Sequence, residues 1–553
     1  MKVLICALNT KYVHSSLAPW CLAAGIEQYA KGVEWEIYES TVNEDYDTVL
    51  DAIMQYDFDL IGFCTYIWNI ERVLSLSKRI KELRNVRVAL GGPEAGYNAE
   101  NILLSHPYID YVLSGEGEEI FAALCSGEDV CKIPGISFRL NGKIIKKPPH
   151  VSEKDPPSPY LSQYFDRLCG RIAYLETSRG CPYRCAFCLS GGCGTVRFFD
   201  INKAKENILL LANSGAKTVK LVDRTFNADR KRAIELFSFI IDNYGGRIPN
   251  GVCFHFELAG ELIDQPTLDV LKRAPKGAIQ VEIGLQSFNT DTLKDINRRS
   301  DLDLLCKNIR SVLALGNIHT HIDLIAGLPR EGIDSFENSF NRALALRPHM
   351  LQLGFLKLLY GSELRENPDY VFDFDEKPPY EVRSTPYISS AELSILHGVE
   401  DVFERVYNSK RFLITSEYLH SLFDSPFRMY SELAEYCAER KNKTLDEFTY
   451  NIYTFFTDVK GVDAAMLRDC LAYDRLSTNR MGTLPEFLKV HTPVIKRMLN
   501  ELELSPETGR IAGAKRAATV LTVSRELIYV DYTDKDPIYG TYPLRKIKIE
   551  SIF

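Results

Sequence analysis

Over roughly the first 355 residues, short apolar runs alternate with stretches of helical period, and this alternation limits the fold more than any other feature of the chain. Residues 3–8 read as a strand, 17–29 as a helix, 60–64 as a buried strand and 70–83 as a helix, with further strands at 86–90 and 108–113. Such an order predicts a doubly wound parallel sheet, whose ligands sit beyond the carboxyl ends of the strands. A proline-rich stretch from Lys146-Lys147-Pro148-Pro149 to Pro156-Pro157-Ser158-Pro159 then interrupts the pattern. The alternation resumes with strands at 172–175, 218–223, 254–258, 280–287, 320–325 and 350–355, as a partial (β/α) barrel requires. A second proline-rich joint runs from about Pro368 through Pro378-Pro379 to Pro386.

Beyond that joint the pattern is mostly helical, at 391–406, 432–437, 445–456, 463–471 and 484–499, with Pro493 breaking the last helix and a strand-like tail at 519–532. Phe448, Tyr450, Tyr453, Phe455 and Phe456 form an aromatic stripe that reads as core. The expected architecture is α/β throughout residues 1–145 and 166–370, joined by a linker at 146–165, with a mostly helical domain at 371–553.

The chemistry concentrates in Gly180-Cys181-Pro182-Tyr183-Arg184-Cys185-Ala186-Phe187-Cys188, which follows the first strand of the expected barrel. Three thiolates on one short loop can each take one iron of a [4Fe–4S] cluster, leaving the fourth iron open to a small molecule. A zinc site would show a second paired knuckle, and none follows. Cys193 reads as a bystander, since as a ligand it would close the open iron. The other cysteines, such as Cys64, Cys125, Cys253 and Cys306, stand alone on apolar segments among 14 in all, as reduced core thiols do. The opening residues read as a strand running into polar Asn9-Thr10-Lys11, not as a signal peptide, and no apolar run reaches the length of a membrane span. The expected location is the cytoplasm. A formal charge of −8 argues against a broad nucleic-acid surface.

At the carboxyl ends of the N-terminal strands stand Asn9-Thr10-Lys11-Tyr12-Val13-His14, Thr65-Tyr66-Ile67-Trp68-Asn69, Gly91-Gly92-Pro93-Glu94 and Gly115-Glu116-Gly117-Glu118. No G-x-G-x-x-G follows the first strand, which argues against a dinucleotide. Paired glycines let a flat, bulky ligand approach the backbone closely.

The cysteine spacing, with Phe187 before the third cysteine, resembles the signature of the radical S-adenosylmethionine (SAM) enzymes. Glu282-Ile283-Gly284-Leu285-Gln286-Ser287 with Asn297-Arg298-Arg299, and Asp323-Leu324-Ile325-Ala326-Gly327-Leu328-Pro329, resemble motifs of the fourth and fifth barrel strands in the cobalamin-dependent members. The N-terminal strings resemble the cobalamin-binding domain found ahead of that barrel, and the C-terminal order resembles a domain of unassigned role in the same group. The resemblance implies that Cys181, Cys185 and Cys188 hold the cluster and that its open iron chelates SAM, which is cleaved reductively to a 5′-deoxyadenosyl radical. It implies Phe187, Asp223, Glu282 and Asp323 as SAM contacts, and Thr10, His14, Thr65, Gly91, Gly92 and Glu116 as cobalamin contacts. A buried carboxylate such as Asp223 could equally pair with Arg224 or Arg298 for structure. The first loop has a His but no Asp before it and no Gly after it, so His14 stands either as a lower cobalt ligand or as a hydrogen-bonded loop residue.

The function implied is methyl transfer to an unactivated carbon or phosphorus of a small-molecule or peptide substrate, with reduced flavodoxin or ferredoxin as electron donor. No catalytic acid or base stands out. A radical rearrangement remains open. A methylthiotransferase would need a second cluster, for which Cys6, Cys21 and Cys64 are poorly spaced. From a different class, a cobalamin- or redox-sensing protein with a degenerate barrel would keep the cofactors without cleaving SAM.

Overall fold

The computed structural model describes residues 1–191, 195–478, 484–490, 493, 497–498, 500, 518–532 and 535–549. Cys193 and residues 491, 492, 494–496 and 499 of the expected helix at 484–499 lie outside these residues, and the described start of that segment holds only a short 3-10 turn, Glu486–Leu488, between extended Pro485 and Lys489. The chain forms two compact units, Met1–Glu282 with Leu293–Asp301 and Phe355–Pro386, and Ile283–Thr292 with Leu302–Gly354 and Tyr387–Phe553.

In the first unit β1 (Lys2–Asn9), β2 (Glu34–Thr41), β3 (Leu60–Cys64), β4 (Arg87–Gly91), β5 (Tyr111–Leu113), β6 (Ile136–Leu140) and β7 (Lys143–Ile145) form one sheet in the order β2-β1-β3-β4-β5-β6-β7. The first five pair in parallel and the last two antiparallel. Helices cover both faces, so β3 is buried at every residue and β1 at all but its first, and both are nearly continuous apolar runs. The chain moves outward from β1 to β2 and then returns to β3 on the other side. The loops leaving β1 and β3 therefore diverge, which opens a crevice at their carboxyl ends. The β6–β7 hairpin turns through Asn141 and Gly142, both at positive φ, as a two-residue hairpin turn demands.

The proline-rich stretch is stitched onto this sheet. His150 accepts a hydrogen bond from the Glu116 amide and donates its own to the Ser114 carbonyl. Lys147 Nζ donates to the carbonyls of Val130, Cys131 and Ile133. The chain then enters β8 (Ala173–Leu175), a short ribbon of β9 (Ser178–Arg179) with β10 (Arg197–Phe198), β11 (Thr218–Leu221), β12 (Cys253–Leu258) and β13 (Ile279–Gln286). Within this unit the barrel strands run β13-β12-β11-β8, and β11 pairs in parallel with both β8 and β12. The second joint holds a small hairpin of β16 (Asp373–Phe374) and β17 (Val382–Ser384).

The second unit continues from β13 into β14 (His319–Ala326) and β15 (Met350–Phe355), in the order β15-β14-β13. Its C-terminal part is helical, with Ser390–Phe403, Leu413–His420, Pro426–Ala438, Leu445–Thr454 and Ala464–Thr478. Capping boxes at Ser389/Glu392 and Thr444/Glu447 start two of them. The aromatic stripe divides: Phe448, Phe455 and Phe456 are buried, whereas Tyr450 is exposed and packs beside Phe487. A three-stranded antiparallel sheet, β18 (Ala518–Leu521), β19 (Glu526–Val530) and β20 (Leu544–Lys548), stands where a strand-like tail was expected. No helix among the described residues is long and apolar enough to cross a membrane.

Candidate active site

A cavity of about 620 Å³ opens beyond the carboxyl ends of β1, β3, β4 and β5, at the switch point of the sheet. Thr10, His14, Gly91, Gly92 and Glu116 line it, so five of the six expected cobalamin contacts come together. Its opposite wall is made by Tyr174, Glu176, Arg179 and Arg224, from β8, β9 and the segment after β11.

The loops around the cavity are braced from beneath. Asn69 is buried and donates to the carbonyls of Leu8 and Cys64, which joins the ends of β1 and β3, and it accepts from the Tyr66 amide. Tyr66 stacks on Trp68 with ring centroids 4.3 Å apart, and both rings line the cavity. Thr65, the sixth expected contact, is fully buried. Its hydroxyl donates to the Gly91 carbonyl at 2.7 Å and accepts from the Ala95 amide at 3.1 Å. It thus supports the Gly91-Gly92 turn from behind. Gly92 has φ +105°, and a Cβ there would stand 2.4 Å from the Thr65 carbonyl oxygen, so only glycine suits this turn.

His14 is held to the barrel strand. Its Nδ1 lies 2.8 Å from the Tyr174 hydroxyl, its carbonyl accepts from Arg171, and the amide of Ile172 donates to Val13. Burial first, and then the charges of Lys11, Lys220 and Arg171, hold its imidazole below the usual range, which favours the neutral form.

The cysteine loop is folded tightly. Gly180 has φ +96° with room for no side chain against the Thr195 carbonyl. The Ala186 amide donates to Ile296 and the Ala186 carbonyl accepts from Leu364. Cys181 Sγ lies 3.3 Å from the Thr225 hydroxyl, Cys185 Sγ 3.8 Å from Arg298 Nη1, and Cys188 Sγ accepts from the Ser190 amide at 3.4 Å. Burial pushes the Cys185 thiol up, against the pull of Arg298. Metal binding here would displace protons, and the donor set of three thiols with polar neighbours suits an iron–sulfur cluster. Phe187 sits half-buried between the second and third cysteines.

Sequence reasoning did not single out Arg179, the residue just before Gly180-Cys181. It lies at the centre of a half-hidden ion network. Its Nε and Nη2 donate to Glu176, Nη1 and Nη2 to Glu118, and Nη1 to Glu116 at 2.7 Å. Arg197 shares Glu116 at 2.7 Å. Burial raises Glu118, but Arg179 outweighs it and the carboxyl sits below its usual range; at Glu176 burial prevails and the carboxyl sits above. The available signal was an arginine directly ahead of the cysteine loop facing a glycine-spaced acidic motif.

Asp223 does not line the cavity. It is 1% exposed and accepts from the Thr177 amide, the Thr177 hydroxyl and the Ser178 hydroxyl, which anchors the strand that enters the cysteine loop. Burial pushes its carboxyl up to about 6, against those hydrogen bonds. Glu282, on β13, accepts from His255 Nε2 at 2.8 Å and lies 3.3 Å from Lys220 Nζ. Asp323 belongs to the second unit, where its carboxylate lies 2.9 Å from His321 on the same strand.

Residues 3–125 match the B12 binding domain, 175–343 the radical SAM superfamily and 368–510 a protein family of unknown function, DUF4080. The cobalamin-dependent radical SAM methyltransferase TokK of Streptomyces tokunonensis is 28% identical over 327 residues, covering 54% of this chain and 47% of that protein. The chain spans about half the length of the first two curated relatives it matches. Among solved structures, the cobalamin-dependent SAM radical enzyme OxsB, with aqua-cobalamin and SAM bound, aligns with a TM-score of 0.59 at 14% identity, over 92% of this chain and 81% of that one. The radical SAM methyltransferase TsrM of Kitasatospora setae, with cobalamin and a [4Fe–4S] cluster bound, aligns with a TM-score of 0.55 at 18% identity, over 66% and 74%. The strand order, the cysteine loop and these matches agree: the chain joins a B12-binding domain, a radical SAM domain and a DUF4080 segment, in the fold of the cobalamin-dependent radical SAM enzymes.

Proposed function

We propose that this chain is a cobalamin-dependent radical SAM enzyme that transfers a methyl group to an unactivated carbon or phosphorus of a small-molecule or peptide substrate. One observation carries the reading. The cavity at the switch point of the N-terminal sheet shares its far wall with the strands that lead into the cysteine loop, because Tyr174, Glu176 and Arg179 line it and Arg179 precedes Gly180-Cys181. When bound, the cluster supplies the electron that cleaves SAM and cobalamin supplies the methyl group.

Cys181, Cys185 and Cys188 are the three iron ligands in this reading, with Thr225 and Arg298 as donors beside the sulfurs. Phe187 offers an apolar face to the adenine. Glu282, oriented by His255 and Lys220, holds a polar group of SAM. Asp223 is a positioning residue, since its oxygens hold Thr177 and Ser178. Thr10, His14, Gly91 and Gly92 meet cobalamin directly, Thr65 acts through Gly91-Gly92, and Glu116 through Arg179. His14 is a wall residue held by Tyr174. A reduced flavodoxin or ferredoxin serves as the electron source.

The test is anaerobic reconstitution with iron, sulfide and hydroxocobalamin, followed by SAM and a low-potential reductant. 5′-Deoxyadenosine that disappears in Cys185→Ala, together with bound cobalamin in the absorption spectrum, supports the class. Cleavage without bound cobalamin removes the methyl-transfer reading, and bound cofactors without cleavage favour a sensor.

A further inference from the structure

Two arginines line the cavity among the described residues, and their situations are opposite. Arg179 directs five hydrogen bonds at three carboxylates. Arg224 makes only a loose approach to Glu257, at 3.9 Å, and its side chain is 55% exposed. Two residues earlier on the chain than Val222, which also lines the cavity, Lys220 stands directly beside Tyr174 in the β11–β8 register. Its Nζ reaches Glu282 at 3.3 Å and Glu257 only at 4.0 Å. The rim of the barrel thus presents two cations that share Glu257 only at 3.9 and 4.0 Å, Lys220 being held more closely by Glu282, next to a cavity of ligand size. A guanidinium with free donors at such a wall suits bidentate recognition of a carboxylate or phosphate. In a partly desolvated cavity that pairing is stronger than on an open surface.

We infer that Arg224, assisted by Lys220, recognises an anionic group of the substrate, a carboxylate or a phosphate, and so fixes the substrate between the cobalamin cavity and the barrel mouth. This rests on the proposed function, because it takes the cavity to be the cobalamin site. The substrate class it names is an acid or a phosphorylated compound. Two other anions share this chemistry, the methionine carboxylate of SAM and the nucleotide phosphate of cobalamin, and the experiment separates them.

Inorganic phosphate is the probe, added to the full chain loaded with cluster and cob(II)alamin and followed by phosphorus NMR, where the paramagnetic cobalt broadens the resonance of nearby phosphate. The expected result is saturable broadening in the wild type, binding weakened about tenfold in Arg224→Gln, and partial retention in Arg224→Lys. Because Arg224 is one of many residues at the cavity wall, the affinities for hydroxocobalamin, by absorbance, and for SAM, by the cluster EPR signal, fall less in both variants than the phosphate affinity does. Equal broadening in wild type and Arg224→Gln overturns the proposal. So does a loss of SAM or hydroxocobalamin affinity in Arg224→Gln as large as its loss of phosphate affinity, because the recognised anion then belongs to a cofactor. A wild type that binds no hydroxocobalamin counts against the functional reading instead. The phosphate site is then measured by calorimetry on the cluster-loaded protein, with the same variants and the same expected order.

Discussion

Arg179 grips both oxygens of Glu118, with Nη2 at 2.5 Å from Oε1 and Nη1 at 3.3 Å from Oε2. The contact spans 61 residues of chain and ties the first turn of the helix after β5, Gly117–Cys125, to the residue that precedes the cysteine loop. Removing the cation leaves Glu118 and Glu176 largely buried without a partner, while Glu116 keeps Arg197. Breaking a buried pair from one side costs about 3–5 kcal/mol. Arg179→Met is expected to unfold at a correspondingly lower urea concentration and to lose cobalamin on gel filtration. Adding Glu118→Gln should recover part of the stability. Simple additivity of the two substitutions would show that the pair does not couple the loops.

Gly91 and Gly92 should respond differently to alanine. At Gly92 a Cβ meets the Thr65 carbonyl oxygen at 2.4 Å and φ is +105°, so Gly92→Ala is expected to lower stability by about 1–3 kcal/mol. At Gly91 the nearest atoms are 3.9 Å away, so Gly91→Ala should stay within about 0.5 kcal/mol of the wild type. Both should weaken hydroxocobalamin binding in an absorbance titration, Gly91→Ala by placing a methyl group at the cavity wall. Normal binding by Gly91→Ala would show that the ligand does not approach this backbone.

Asp223 gives a pH dependence of defined sign. Its carboxyl is raised by burial from 3.8 to about 6, so the folded protein binds its proton more tightly than the unfolded chain. The stability from this group is complete below about pH 4 and is lost as pH rises through about 6, a change of about 3 kcal/mol. Asp223→Asn removes that loss. Urea denaturation at pH 4.5 and pH 7 (both about one unit or less from the two titration limits) should show the variant gaining on the wild type as pH rises. A gap that stays constant would mean that Asp223 keeps its ordinary acidity.

His14 is held at 2.8 Å from the Tyr174 hydroxyl. That contact engages Nδ1 and not Nε2, so it does not decide the cobalt question, and the EPR spectrum of the cob(II)alamin form tests the wall-residue role, for which no nitrogen superhyperfine splitting that depends on His14 is expected. Splitting present in the wild type and absent in His14→Ala would make His14 the lower ligand. Tyr174→Phe should raise the hydroxocobalamin dissociation constant less than His14→Ala does, because it removes one hydrogen bond of about 1 kcal/mol and leaves the ring in place.

Much of this protein was legible before any coordinates. Apolar runs of period two and helical stretches of period 3.6 are local signals, and they placed β1, β3, β4 and the barrel strands β11 to β15 within a few residues. The cysteine loop is equally local, since three donors within eight residues need no distant partner to be recognised. The β6–β7 hairpin was overlooked although Asn141-Gly142 announces it. The C-terminal sheet was harder to see, because antiparallel pairing of β19 with β20 joins residues about twenty apart across a loop of no clear pattern.

The residue roles divide in the same way. Sequence alone determined which strand ends carry glycine, hydroxyl and acidic residues, because parallel α/β sheets present those ends to ligands. Only the tertiary structure decided which of these groups reach the cavity and which are already engaged. Thr65 and Asp223 both lie where a ligand contact was expected, yet Gly91 and Ala95 engage the threonine hydroxyl and Thr177 and Ser178 the aspartate carboxylate, both buried away from the cavity. Arg179 and Arg224 look alike in sequence; three carboxylates brought from distant segments saturate the first and leave the second free to bind. A polar group's availability is set by its partners in space, and those partners are fixed only when the chain closes on itself.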